Sequence, residues 1–287
     1  MNVYEIVTEQ VVKQLESGTA PWRRPWATQL PCNLVSQKPY QGINIFLLAA
    51  QSKPSAYWLT FNQAAKLGGS VKKGEHASTV VFWSVGKEKL NEKTGKVSKP
   101  FLLRYYHVFN LSQTEGIAHK LGLAEASAKP VADIAACEQI VCNMPNRPKI
   151  MEAGAAWYRP SSDTVGIPDK AKFHASEGFY ATLFHELTHS TGHASRIGRE
   201  GIEQLNGFGS ETYSREELIA EMGAAMLCGV TGIAPTTLDN SAAYLRSWIE
   251  RLRGDSKLLI SAASAAQKAA NYIRGLSGVS VDSEAGV

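Results

Sequence analysis

Tyr180-Ala181-Thr182-Leu183-Phe184-His185-Glu186-Leu187-Thr188-His189 decides how this chain is read. Tyr180, Leu183, Phe184 and Leu187 recur at helical spacing, and the pattern predicts a helix from about Ser176 to Thr191, ended by Gly192. Residues four apart on a helix share a face, separated by about 6 Å of rise. His185 and His189 can therefore address one ion, while Glu186 lies beside that ion, where a general base is needed. Histidine and glutamate on an otherwise apolar helix are costly to bury without partners. That context separates the stretch from a chance HExxH. A catalytic zinc takes three protein ligands and keeps one position for water, so a third ligand must come from elsewhere in the chain.

Two residues compete for that place. His193 continues the four-residue spacing, and Gly192 stands where metzincins end their helix. The third metzincin histidine, however, falls two residues beyond position 193, where this chain has Ser195. The other candidate is a later helix, about Ser214 to Val230, with Glu217 and Glu221 four apart on one face. Gly223, Ala224 and Ala225 follow, small enough to let that helix approach the first. The pattern resembles that of gluzincins. By that resemblance Glu217 binds the metal and Glu221 orients a ligand histidine through its free ring N–H. Glu216 and Glu217 also suit an acidic helix start behind Ser214. Tyr213 precedes Glu217 by four residues. A resemblance to lethal-factor-type zincins implies an oxyanion donor there, and a packed tyrosine is the other reading. The ion expected is zinc, with manganese or cobalt compatible with the same donors.

The chain has 287 residues, 44 % apolar and 20 % charged, a globular mixture with room for one large domain or two ordinary ones. No stretch approaches the roughly 20 apolar residues of a membrane span, and the opening MNVYEIVTEQ lacks the apolar core of a secretory signal. The four cysteines form no CxxC pair. A cytoplasmic protein with free thiols and no membrane partner is expected. The formal charge of +4 hides an asymmetry: residues 1–110 carry +8, with no aspartate, and residues 111–287 carry −4. Two domains with different partners are expected, at 1–120 and 121–287, joined through the alanine-rich, polar stretch 112–130.

The front half reads as a small α+β unit: a helix over 2–17, a short helix over 43–50, and paired strands at 79–85 and 102–109. The rear half reads as mostly helical, with a hairpin at 156–167 and one or two long helices over 242–273, so the fold class is α+β. Rings and cations interleave in the front half. Trp22, Arg23, Arg24 and Trp26 are followed by Lys38, Tyr40, Trp58, Lys72, Lys73, Trp83 and Lys87. Aromatic faces stack on unpaired bases while cations follow phosphates, which makes single-stranded DNA the expected partner. Strand faces alternate, so roughly half of these rings belong to the core.

PWRRPW (21–26), KPYQGIN (38–44), YWLTFNQA (57–64), VKKGE (71–75) and VFW (81–83) precede ATLFHELTHSTGH (181–193) and REELIAEMGAAML (215–227). Jointly these motifs resemble the ArdC antirestriction family of conjugative plasmids. The front half also resembles the N-terminal domain of TraC-type plasmid primases. The resemblance implies a single-stranded-DNA-binding domain followed by a zincin-like metallopeptidase domain. It also implies protection of incoming DNA from host restriction, with a restriction enzyme or another DNA-bound protein as peptide substrate. The competing reading is a nonenzymatic coat for single-stranded DNA whose metal site is structural or regulatory. An intact Glu186 beside both histidines favours the enzyme, because a purely structural site has no need of it.

Overall fold

The computed structural model of the chain describes residues 2–23, 30–85, 89–90, 97–98, 101–117, 134–199, 202, 211–233 and 241–276. Arg24, Trp26 and Lys87 lie outside these residues. In chain order the elements are α1 (Val3–Glu16), β1 (Cys32–Asn33), α2 (Ile43–Ala49), β2 (Tyr57–Leu59), α3 (Phe61–Lys66), β3 (Ser70–Val71), β4 (Ser78–Val85), β5 (Lys89–Leu90), β6 (Val97–Ser98), β7 (Phe101–Asn110) and β8 (Thr114–Glu115). They continue with α4 (Ile134–Asn143), β9 (Lys149–Glu152), β10 (Trp157–Arg159), β11 (Thr164–Ile167), α5 (Ser176–Ser190), α6 (Glu211–Thr231), α7 (Ala242–Gly254) and α8 (Leu258–Ile273). The mixture of sheet and helix is the expected α+β class.

β4 and β7 pair antiparallel from Ser78↔Val108 to Val85↔Phe101, within a four-stranded sheet of order β1-β2-β7-β4. Opposed residues share a face. Val80 and Val108 therefore pack with Tyr40, Leu48 and Trp58 on one side. Val81 and Trp83 face α1 on the other, with Tyr4 edge-on to Trp83. The free edge of β4 is closed by a side chain of α2. Asn44 donates to the Val81 carbonyl at 2.7 Å and accepts from the Val81 N–H at 2.8 Å. A bare edge strand would invite foreign pairing.

In the rear half the expected hairpin is present as β10 and β11, turned at Asp163 with φ +43°. β9 adds parallel to β11, a strand too short to show a period of two in the sequence. The long helical stretch is broken at Asp255 into α7 and α8, and α8 buries Ala262, Ala263, Ala266, Ala269 and Ala270. Packing does not respect the halves. One core cluster joins Val7, Val11, Leu15, Trp22 and Phe46 from the front to Leu218, Met222, Trp248, Leu252 and Ala266 from the rear. The boundary expected at 120 falls outside the described residues, and the described residues on either side of it share this core.

Candidate metal centre

α5 carries His185 and His189 on one face, with their Nε2 atoms 3.1 Å apart. Glu217, on α6, brings its two carboxylate oxygens to 3.6 Å from His185 Nε2 and 3.5 Å from His189 Nε2. Bonds of about 2.0–2.1 Å in a tetrahedron place ligand atoms about 3.3 Å from one another, so the three separations match one shared ion. Two imidazole nitrogens and a carboxylate brought this close are the nitrogen and oxygen donors that a divalent cation takes. Donor chemistry and spacing thus fit a divalent cation. Among the described residues these three form the one cluster of ligand type. His193 points elsewhere, with its Nδ1 2.8 Å from Ser195 Oγ.

The surroundings tune these groups unequally. Burial and the neighbouring charge of His185 push His189 down to about 3, which keeps it neutral and ready to ligate. Burial also pulls His185 down. A hydrogen bond to Glu217 and the charges of Glu186, Glu217 and Glu221 outweigh it, and the net displacement is upward. Glu186 is only 8 % exposed, and burial raises its carboxyl above the ordinary glutamate value. A raised carboxyl holds a proton closer to neutral pH, as a general base that must later return it requires.

Two features bring α6 to α5. Gly223 faces Thr188, and a Cβ at Gly223 would lie 2.6 Å from Thr188 Cγ2. Only a glycine leaves room for this approach. The second feature is Arg199, buried in the loop after α5. Its guanidinium donates to both carboxylate oxygens of Glu216 at 3.0–3.1 Å, to Thr191 Oγ1 at 2.6 Å and to the Thr188 carbonyl at 3.0 Å. Glu216 immediately precedes Glu217, so this pair fixes the ligand-bearing turn against the end of the histidine helix. Nothing in the local pattern of residues 195–200 marks Arg199 for that task.

Glu221 departs from expectation. Among the described residues its hydrogen-bond partners are not the ligand histidines. Arg23 donates to it at 2.9 and 3.4 Å, and the Tyr244 hydroxyl donates to it as well. The Arg23 guanidinium lies 3.6 Å above the Tyr244 ring, and Trp22 Nε1–H donates to the Tyr244 oxygen at 3.0 Å. The reason is geometric. One helical turn beyond Glu217, the face that addressed the histidines addresses the Pro21–Arg23 turn instead. Tyr213 stands in the first turn of α6, and its side chain lies outside those described.

Comparison with known proteins fits this geometry. Residues 136–265 match a family of zincin-like metallopeptidases, and residues 1–109 match the N-terminal domain of the antirestriction factor ArdC. The crystal structure of the antirestriction protein ArdC of plasmid R388, in its metal-free form, superposes with a TM-score of 0.76 at 37 % identity, covering 96 % of this chain and 98 % of that one. The chain belongs to the ArdC antirestriction family. A Mn(II)-bound structure of the same R388 ArdC matches with a TM-score of 0.76 at 35 % identity, over 97 % of this chain and 99 % of that one. Protein y4eC of Sinorhizobium fredii is 32 % identical over 95 % of this chain and 91 % of its own length. The DNA primase TraC of Escherichia coli is 33 % identical over 94 % of this chain, which spans 27 % of that primase's length.

In this ArdC-family chain several rings expected at a DNA surface are interior. Trp22 and Trp58 are 2 % exposed and Tyr40 6 %. Tyr40 and Trp58 pack with Val80 and Val108 on one face of the sheet, and Trp22 packs edge-on to Trp248 in the shared core. Arg23 is committed to Glu221. Lys38, Lys72 and Lys73 are exposed, and Trp83 is half-buried. Tyr105, a ring that the strand at 102–109 also offers, is 47 % exposed, and the structure adds Phe61, 60 % exposed, with Arg104 and His107 exposed beside Tyr105 on β7.

Proposed function

We propose that the chain is a plasmid antirestriction protein that binds single-stranded DNA through its front half and hydrolyses a peptide bond at the α5–α6 centre. The observation that carries the reading is the convergence of His185, His189 and Glu217 with the buried Glu186 beside them. The two histidines and Glu217 would hold the ion. Zinc is the ion expected from zincin chemistry, and manganese is supported by the Mn(II)-bound form of R388 ArdC. A divalent cation there supplies Lewis acidity, which makes water a nucleophile at neutral pH. The rest is the work of the chain's own groups. Glu186 takes a proton from the attacking water on its carboxylate and returns it to the leaving amine nitrogen. Its burial keeps bulk water from competing for that proton. Tyr213, by its place one turn before Glu217, is the candidate donor to the developing oxyanion.

The exposed Lys38, Lys72 and Lys73 supply phosphate contacts in this reading. Tyr105, Phe61 and the half-buried Trp83 supply ring faces. Tethering to DNA concentrates the centre near DNA-bound proteins, a restriction enzyme among them. No helix among the described residues is long and apolar enough to cross a membrane, and action in the cytoplasm is part of the proposal. The test is Glu186→Gln in the full chain. Protection of conjugating DNA is lost while single-stranded-DNA binding is kept. Unchanged protection would leave only the DNA-coating role.

A further inference from the structure

The metal centre has a polar neighbour that crosses between the two halves of the chain. Glu221 sits one turn beyond Glu217 on α6, and its charge reaches His185. A half-buried carboxylate in that position needs a counter-charge. The charge comes from Arg23 in the front half, and among the described residues no other lysine or arginine pairs with Glu221. Arg23 is itself fixed by the face of Tyr244 at 3.6 Å, and Tyr244 is held by Trp22. Trp22 is anchored in the shared core, edge-on to Trp248. The cluster is thus preorganised by packing from both halves.

We propose that Arg23 is a positioning residue of the metal centre: by holding and neutralising Glu221, it sets how much negative charge an ion meets beyond its three ligands. The proposal rests on His185, His189 and Glu217 being an ion site. With Arg23 in place, Glu221 is turned toward the guanidinium and the Tyr244 hydroxyl, and its field at the centre is largely cancelled. Without that cation, a full carboxylate charge stands one turn from Glu217. A doubly charged ion feels such a charge, because its three ligands are only partly open to water, His185 at 25 %, His189 at 12 % and Glu217 at 28 % side-chain exposure. No described residue of the front half is among the three ligands, yet that half adjusts the affinity of the rear half for its ion.

Calorimetric titration of the full chain with Mn(II) tests this. Arg23→Gln binds Mn(II) about five- to tenfold tighter than wild type, and Glu221→Gln binds it weaker by a similar factor. The double variant returns close to wild type, and Arg23→Lys, which keeps the charge, binds like wild type. A role in packing alone would weaken binding in all four variants, so tighter binding in Arg23→Gln is the signature. Weaker or unchanged binding in Arg23→Gln overturns the proposal. If Arg23→Gln fails to fold, Glu221→Gln and Arg23→Lys decide it: unchanged binding in the first, or a large change in the second, overturns it equally. A wild-type chain that takes no Mn(II) overturns the ion site and this inference together, whereas a wild type that binds beside an unaffected Arg23→Gln overturns this inference alone.

Discussion

Gly223 faces Thr188 so closely that a methyl group at position 223 would sit 2.6 Å from the Thr188 methyl carbon and 2.8 Å from its hydroxyl oxygen. Thr188 is fully buried, and its hydroxyl donates to the Phe184 carbonyl, so it has little freedom to retreat. This close approach sets the distance between the helix that carries the histidines and the helix that carries Glu217. Gly223→Ala gains up to about 1 kcal/mol of helix propensity and loses about 1–3 kcal/mol to overpacking. A net loss of about 1–2 kcal/mol is expected in urea unfolding, together with weaker Mn(II) binding, because Glu217 is displaced. A variant as stable and as avid as wild type would show that the two helices are not held by this approach.

Arg199 and Glu216 form a buried ion pair at the same seam. Removing one partner strands the other. Arg199→Ala is therefore expected to cost about 3–5 kcal/mol, while Arg199→Met combined with Glu216→Leu recovers most of the loss. Equilibrium unfolding of the single and double variants checks the sign of the coupling. Equal destabilisation by both would mean that the pair contributes through its own attraction rather than through compensated burial.

Asp163 closes the β10–β11 turn, accepting from Arg196 at 2.7 and 2.9 Å and from the Tyr158 hydroxyl at 2.9 Å. Burial alone would raise its carboxyl, but the hydrogen bonds from Arg196 and Tyr158 prevail and lower it. A carboxyl lowered in the folded state stabilises the fold fully above its unfolded value near 3.9, and that contribution fades as pH falls through the folded value. The melting-temperature gap between wild type and Asp163→Asn should be constant from pH 7 to about pH 5 and shrink below about pH 4. A gap that persists at the lowest pH would remove the ionised Asp163 from the account.

Trp22 and Lys72 separate the two kinds of residue in the front half. Trp22→Ala is expected to cost about 3–5 kcal/mol of stability, as for any large core ring. Lys72→Ala with Lys73→Ala should leave stability within about 0.5 kcal/mol and reduce the salt slope of single-stranded-DNA binding by about 0.7 for each phosphate no longer neutralised. A salt-insensitive interaction, or one unaffected by removing both lysines, would take the electrostatic part out of the DNA proposal.

The readable parts of this chain are those written in local periodicity. The helix at 176–190 shows in the spacing of its apolar residues, the later helix in Glu217 and Glu221 four apart, the hairpin in its Pro160–Asp163 turn, and the β4–β7 ladder in runs of β-branched and aromatic residues. The small residues at 223–225 foretold the close helix pair. What could not be read was set by partners distant in sequence. Arg23 and Glu221 are 198 positions apart, and Trp22 and Tyr244 are 222 apart. No window of sequence shows that Trp22 and Arg23 will turn inward against helices of the other half. Alternation along a strand limits how many rings can face water, but it does not say which, and Tyr40, Trp22 and Trp58 proved interior.

Mn(II) titration of wild type against Glu217→Ala tests the convergence of His185, His189 and Glu217 most directly. Wild type should take one equivalent, and the substitution should abolish saturable binding while leaving the helix content unchanged by circular dichroism. A Glu217→Ala chain that binds one equivalent as tightly as wild type would contradict the α5–α6 centre outright.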